Sequence, residues 1–128
     1  MTQKQHTILL VEDEEPIRLA LRRIFTRNGW VVSEALDGSQ ALAMLLAPPG
    51  SQYDVVLSDL RMPGMSGAKL HDHLLAERPV LAARMVFSTG DIYSDEAQDL
   101  VVRRGCVVLQ KPFDLVALMA LAEKMVAP

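Results

Sequence analysis

Five times along this chain, a short run rich in apolar, β-branched residues is followed by a stretch of helical periodicity. That alternation constrains the fold more than any other feature. Thr7-Ile8-Leu9-Leu10-Val11 is almost continuously apolar, as a strand covered on both faces should be. Asp54 to Ser58, Arg84 to Ser88 and Val107 to Leu109 read as strands too, whereas the more polar Val31 to Ala35 suits a sheet edge. Behind Pro16, the residues Ile17, Ala20, Leu21, Ile24 and Phe25 recur at three- and four-residue steps, giving a helix with one apolar stripe. Asn28-Gly29 closes it, since both residues tolerate a left-handed backbone. Asp37 with Gln40 resembles a capping box for a helix carrying Ala41, Leu42, Leu45 and Leu46. Ser66 can cap a helix to about Glu77, another helix follows Ser94, and Asp114 opens the last, Leu115 to about Val126. Pro48-Pro49-Gly50-Ser51 and Met62-Pro63-Gly64-Met65 read as a loop and a turn. Five strand–helix units in a row call for an α/β fold, a parallel sheet with helices on both faces.

Composition narrows what such a fold can be. The 128 residues, half of them hydrophobic, suffice for one core without disulfides. They are expected to form a single domain, residues 1–128 with a core over about 6–126, and no output unit is expected after Val126. A net charge of −3 argues against direct nucleic-acid binding. The single cysteine, Cys106, fits a reducing, cytoplasmic compartment, and no apolar run reaches membrane-spanning length.

In open parallel sheets the working site lies beyond the carboxyl ends of the strands. Glu12 and Asp13 follow the first run, Asp59 the third, Thr89 the fourth and Lys111 the fifth. Carboxylates gathered this closely repel one another unless a cation joins them. A hard divalent ion such as magnesium, with manganese as a substitute, suits a few carboxylate oxygens and welcomes a phosphate oxygen. Lys111 supplies a further positive charge. A carboxylate so placed can attack phosphorus and form an acyl phosphate, and Thr89 could donate a hydrogen bond to the transferred group.

The ordered segments Val-Glu-Asp-Glu at 11–14, Asp-Leu-Arg-Met-Pro-Gly-Met-Ser-Gly at 59–67, Ser-Thr-Gly at 88–90 and Lys-Pro-Phe at 111–113 resemble the hallmarks of response-regulator receiver domains. The likeness covers essentially the whole chain. It implies five strands in the order 2-1-3-4-5. It also implies that Asp59 is the phosphoacceptor, and that Glu12, Asp13, Asp59 and the backbone carbonyl of Arg61 hold the metal. Thr89 would be the switch hydroxyl, Lys111 the phosphate-pairing lysine, and Pro112 the residue of a cis bond shaping the adjacent loop. The implied donor is a histidine kinase or a histidine phosphotransfer protein. The protein would not be a conventional enzyme, although magnesium-dependent self-phosphorylation and autodephosphorylation are expected. A monomer is expected before phosphorylation, with dimerisation on phosphorylation left open.

Two departures stand out. Val108 occupies the switch position that usually holds an aromatic residue, and the stretch Arg103-Arg104-Gly105-Cys106 looks shorter than the common pattern. Arg18, Arg22, Arg23 and Arg27 make a basic side on the first helix, either a solvated face or a kinase contact. His71 and His73 lie two apart on a helix and do not suit a metal pair. Cys106, Trp30 and most methionines read as packing, whereas Met62 and Met65 sit where a donor could touch them. A haloacid-dehalogenase-type phosphatase would need an acid at Arg61, a toprim-type nuclease fails on the same absence, and a flavodoxin-like cradle would be repelled by Glu12 to Glu15. The remaining rival is a pseudo-receiver that docks partners without phosphorylation. Shuttle, relay intermediate, phosphate sink and receiver of a hybrid kinase all remain open.

Overall fold

A computed structural model describes residues 5–47 and 53–127. The proline-rich loop expected at 48–51 lies outside the described residues. Five parallel strands, β1 (Thr7–Val11), β2 (Val31–Ala35), β3 (Val55–Asp59), β4 (Met85–Thr89) and β5 (Val107–Gln110), are ordered β2-β1-β3-β4-β5. The switch in winding direction falls between β1 and β3, the strands that end near Glu12 and at Asp59. The more polar β2 is indeed an edge.

Alternation along each strand sorts the core into two layers. Ile8, Leu10, Val55, Leu57 and Val86 face α1 (Glu15–Arg27) and the C-terminal helix, with Phe25, Leu21, Trp30, Leu118 and Ala122 packed on them. Leu9, Val11, Val56, Met85 and Phe87 face the opposite way. They pack against α2 (Gly38–Leu45), α3 (Gly67–Glu77), α4 (Pro79–Ala82) and α5 (Asp95–Gln98) through Ala41, Leu45, Leu70, Leu74, Leu81 and Ala97. The final helix, α6, runs Leu115–Val126. Trp30 closes the bottom of the first layer, edge-on to Phe25 with ring centroids 5.2 Å apart. Both layers have to be filled for a parallel sheet to hide its faces.

Helix starts follow their local chemistry. Asp37 accepts the Gln40 N–H at 2.8 Å, while the Gln40 side chain accepts the Leu36 N–H at 2.8 Å, one residue ahead of the usual capping-box partner. Ser66, Ser94 and Asp114 likewise cap α3, α5 and α6 with side-chain oxygens. Glu14 precedes α1 without a side-chain cap bond, and the helix begins at Glu15, one residue before Pro16.

Three features depart from the sequence reading. Strands β3 and β4 begin and end one residue later than expected, because the pairs Asp59 with Ser88 and Thr89 with Gln110 continue their ladders. A short helix, α4, follows α3; Pro79 at its start is compatible with a first helical turn but not with continuing α3. The helix after Ser94 is short and widens into a π-helical turn, Asp99–Arg103, in which the Arg104 N–H reaches Asp99 O five residues back at 3.2 Å. Gly105, at φ +67°, then lets the chain turn into β5 while the Cys106 N–H returns to Leu100 O at 2.9 Å. No described helix is long and apolar enough to cross a membrane.

Candidate functional site

Glu12 follows β1 with its N–H bonded to Ala35 O at 3.2 Å, so the sheet edge fixes where the chain leaves the strand. Asp59 is the last residue of β3, and all five residues of that strand are buried. The next N–H, of Leu60, bonds to Ser88 O at 2.8 Å and keeps the strand end aligned with β4. Behind it, Gly67 passes so close that a Cβ there would lie 2.8 Å from Asp59 O. A glycine is required at this packing point if α3 is to press against β3.

The two carboxylates converge on one ammonium. Lys111 Nζ lies 2.8 Å from Glu12 Oε1 and 3.2 Å from Asp59 Oδ2, with Glu14 Oε1 at 3.8 Å. Glu12 is 3% exposed and Asp59 7%, so the pairing occurs where water screens poorly. Burial pushes the Glu12 carboxyl above its usual value. The hydrogen bonds from Lys111 and from the Glu14 N–H at 3.2 Å pull back, and the charge of Asp59 adds to the rise. For Lys111, burial works against the charge, but the bond to Glu12 and the negative charges of Asp59 and Glu12 outweigh it, so its pKa is raised. The ammonium is held charged.

The remaining residues singled out in the sequence are placed differently. Thr89 ends β4 and is buried, but its hydroxyl is engaged with the following loop, accepting the Asp91 N–H at 3.1 Å. Its carbonyl accepts the Lys111 N–H at 2.7 Å, which ties the two residues through the backbone. Arg61 directs its N–H toward Asp59 Oδ1 at 3.4 Å. Asp13 is exposed and stands outside the carboxylates that close on one another. That group is Glu12, Glu14 and Asp59, whose ligand atoms lie within 4.8 Å of one another. Three hard oxygen donors so close, one of them with its carboxyl pushed up by burial, could hold a divalent metal. The Lys111–Pro112 peptide bond is cis.

Val108 is half-buried and packs into the layer that contains Phe87. Met62 and Met65, read as donor-facing, are also half-buried and packed against that layer. Arg18 leaves the basic row of α1 and turns inward, its side chain 14% exposed. His71 is buried and His73 exposed, so the two do point apart.

Sequence reasoning missed two contributors to the site and its margin. Glu14 could have been found, since a residue two beyond Glu12 can fold back over a tight turn. Gln110 carried no such signal. Its side chain accepts the Ile92 N–H at 3.0 Å and donates to Gly90 O at 2.6 Å, lacing β5 to the loop after Thr89.

The chain belongs to the family of response-regulator receiver domains: the family model "Response regulator receiver domain" matches residues 8–123. Members are phosphoryl-accepting domains of two-component signalling rather than conventional enzymes. The sensor kinase CckA of Brucella abortus is 33% identical over 119 residues, 93% of this chain and 12% of that protein. The DNA-binding transcriptional regulator NtrC of Salmonella typhimurium is 30% identical over 120 residues, 94% of this chain and 24% of that protein. The chain thus spans a quarter or less of these two relatives. Among solved structures, the signal receiver domain of an HD domain-containing protein from Pseudomonas fluorescens superposes with a TM-score of 0.84 at 23% identity, covering 98% of this chain and 90% of that one. The response regulator TrrA of Thermotoga maritima, solved in complex with Mg(2+)-BeF, gives 0.78 at 23% identity, over 95% and 100%. These structural likenesses bear on the fold.

Proposed function

We propose that Asp59 accepts a phosphoryl group from a phosphohistidine carried by a histidine kinase or a histidine phosphotransfer protein. The observation that carries this reading is the pairing of buried Asp59 and Glu12 on the Lys111 ammonium at the carboxyl ends of the sheet. A carboxylate oxygen of Asp59 attacks phosphorus, the bond from phosphorus to the imidazole nitrogen breaks, and an aspartyl phosphate forms. Lys111, already beside Asp59 Oδ2, would meet an oxygen of the incoming group. Glu12 and Asp59, with Glu14 beside them and with Asp13 and the Arg61 carbonyl from the adjoining turns, would hold magnesium or manganese, whose charge would offset that of the phosphoryl oxygens.

Thr89 gives the change of state its route. Its hydroxyl would leave Asp91 for a phosphoryl oxygen, and the loop after β4 would move with it. With Val108 at the position where an aromatic is usual, the signal would pass through this loop and Gln110 instead of a rotating ring. The output is then a changed surface along α5 and β5, read by another protein. The chain is proposed to act as a single cytoplasmic receiver unit, monomeric until phosphorylated.

Intact-mass spectrometry after incubation with magnesium and acetyl phosphate tests the reading. One added phosphoryl is expected, absent in Asp59→Asn and absent when EDTA removes the metal. No adduct together with no magnesium binding would overturn it in favour of a module that binds partners without phosphorylation.

A further inference from the structure

The acidic turn between β1 and α1 is held from beneath by an arginine that neither the family likeness nor the proposed chemistry uses. Arg18 donates from Nη1 to the Glu12 carbonyl at 2.9 Å, while its own N–H bonds to Glu14 O at 3.0 Å. The side chain thus holds the Glu12 end of the stretch, while the backbone bond to Glu14 is the opening helical bond of α1. Its guanidinium is in turn held by Glu34 on β2, with Arg18 Nε 3.7 Å from Glu34 Oε1. That oxygen is buried and has no hydrogen-bond partner, so Arg18 is the cation that compensates it at close range. Arg22 meets the other oxygen of Glu34 at 3.0 Å, but its side chain is 56% exposed.

We propose that Arg18 is a positioning residue: anchored by Glu34, it fixes the Glu12–Glu14 turn so that its carboxylates face Asp59 and Lys111. The physical need is plain. Glu12 and Glu14 are drawn toward an ammonium they share with Asp59, and like charges this close push the turn open. A single N–H from Arg18 Nη1 on the Glu12 carbonyl holds the backbone without neutralising the carboxylates. The guanidinium spreads its donors, Nη1 on the carbonyl and Nε toward the carboxylate, a fixed spacing that the point charge of an ammonium does not reproduce. The inference rests on the metal-dependent phosphoacceptor reading above, and concerns how the ligand set is kept in place.

Manganese binding, followed by electron paramagnetic resonance at a temperature well below unfolding, separates the possibilities. Wild type, Arg18→Met, Arg18→Lys, Glu34→Gln and, as a control, Arg23→Met at an exposed arginine of the same helix would be compared, with thermal unfolding recorded for each. Arg18→Met is expected to weaken manganese binding about tenfold, as loss of a partner behind metal ligands commonly does. Arg18→Lys and Glu34→Gln should weaken it less, and Arg23→Met should leave it unchanged. Should Arg18→Met fail to fold, Arg18→Lys carries the test. Wild-type affinity in a folded Arg18 variant, even one of lower melting temperature, would overturn the positioning role. So would an equal loss in Arg23→Met, which would assign the effect to helix charge. Absence of manganese binding in the wild type would instead overturn the metal-dependent reading of the site, and this inference with it.

Discussion

Strands β3 and β4 are buried along their whole length, while β5 beside them is exposed at both ends. Asp59, the proposed phosphoacceptor, sits on the first kind of strand and Lys111 immediately after the second. On the buried side the supports are dense: Phe87 and Val56 below the strands, Gly67 pressed against Asp59 O, the Leu60 N–H bonded across to Ser88. On the open side Ala97, Leu100 and Val108 still reach the core, but the strand end is tied to its loop by polar links, Gln110 and the Thr89–Asp91 pair, next to a helix that is short and widens into a π turn. The difference separates two tasks. A nucleophile has to be held still, whereas an element that reports on phosphorylation has to lie close to a second arrangement.

The largest expected effect breaks the buried side. Phe87→Ala removes a fully buried ring and should cost about 3–5 kcal/mol in urea unfolding, whereas Val102→Ala in the π turn of the open side should stay within about 0.5 kcal/mol. Next is the ion cluster that joins the two sides. Lys111→Met leaves buried Glu12 and Asp59 without their ammonium and should cost about 1.5–3 kcal/mol with EDTA present. Excess magnesium should restore much of that loss. A protein that stays unfolded with magnesium would show the lysine to be chiefly structural.

Gln110→Ala sharpens the contrast from the open side. Its effect on stability should be about 0.5–1 kcal/mol, but amide exchange at Ile92 should quicken markedly while that of Leu10 and Leu57 stays slow. Smallest is a pH effect at the far end of the sheet. His71 Nδ1 accepts from Arg104 at 3.1 Å and its Nε2 faces Cys106 Sγ at 3.7 Å, while Arg104 also pairs with Asp72 and Asp99. Burial, and then the charge of Arg104, hold this imidazole below its ordinary value. The native state therefore binds fewer protons than the unfolded chain between the two values. The contribution is full above the ordinary imidazole range and is lost as pH falls through the native value. Melting temperature should decline from pH 7 toward 5, and His71→Gln should flatten that slope by on the order of a degree or two.

The buried side was also the more legible in the sequence. A strand covered on both faces announces itself as an apolar run, so β1, β3 and β4 stood out, and Glu12 and Asp59 followed from the rule that sites lie beyond strand ends. The polar β2 betrayed its edge position for the same reason. The open side was less so. Nothing in Asp95 to Arg103 signals a widened turn, because that depends on how Leu100 and Ala97 reach the sheet. Arg104 and His71 lie far apart in sequence and meet only once α3 and the π turn are packed. Arg18 read as one of four arginines on an outward face, solvated or meeting a kinase, until β2 brought Glu34 beneath it.

The most direct test of the division between a fixed acceptor and a responsive margin is an amide chemical-shift map recorded before and after addition of magnesium and acetyl phosphate, with Asp59→Asn as control. Large shifts are predicted from Thr89 through Tyr93, across α5 and the π turn, and at Gln110 and Lys111. Within β1 and β3 they should be confined to Asp59 and its neighbours, and all phosphodonor-dependent shifts should vanish in the variant. Shifts spread evenly over both sides, or unchanged by Asp59→Asn, would contradict the account.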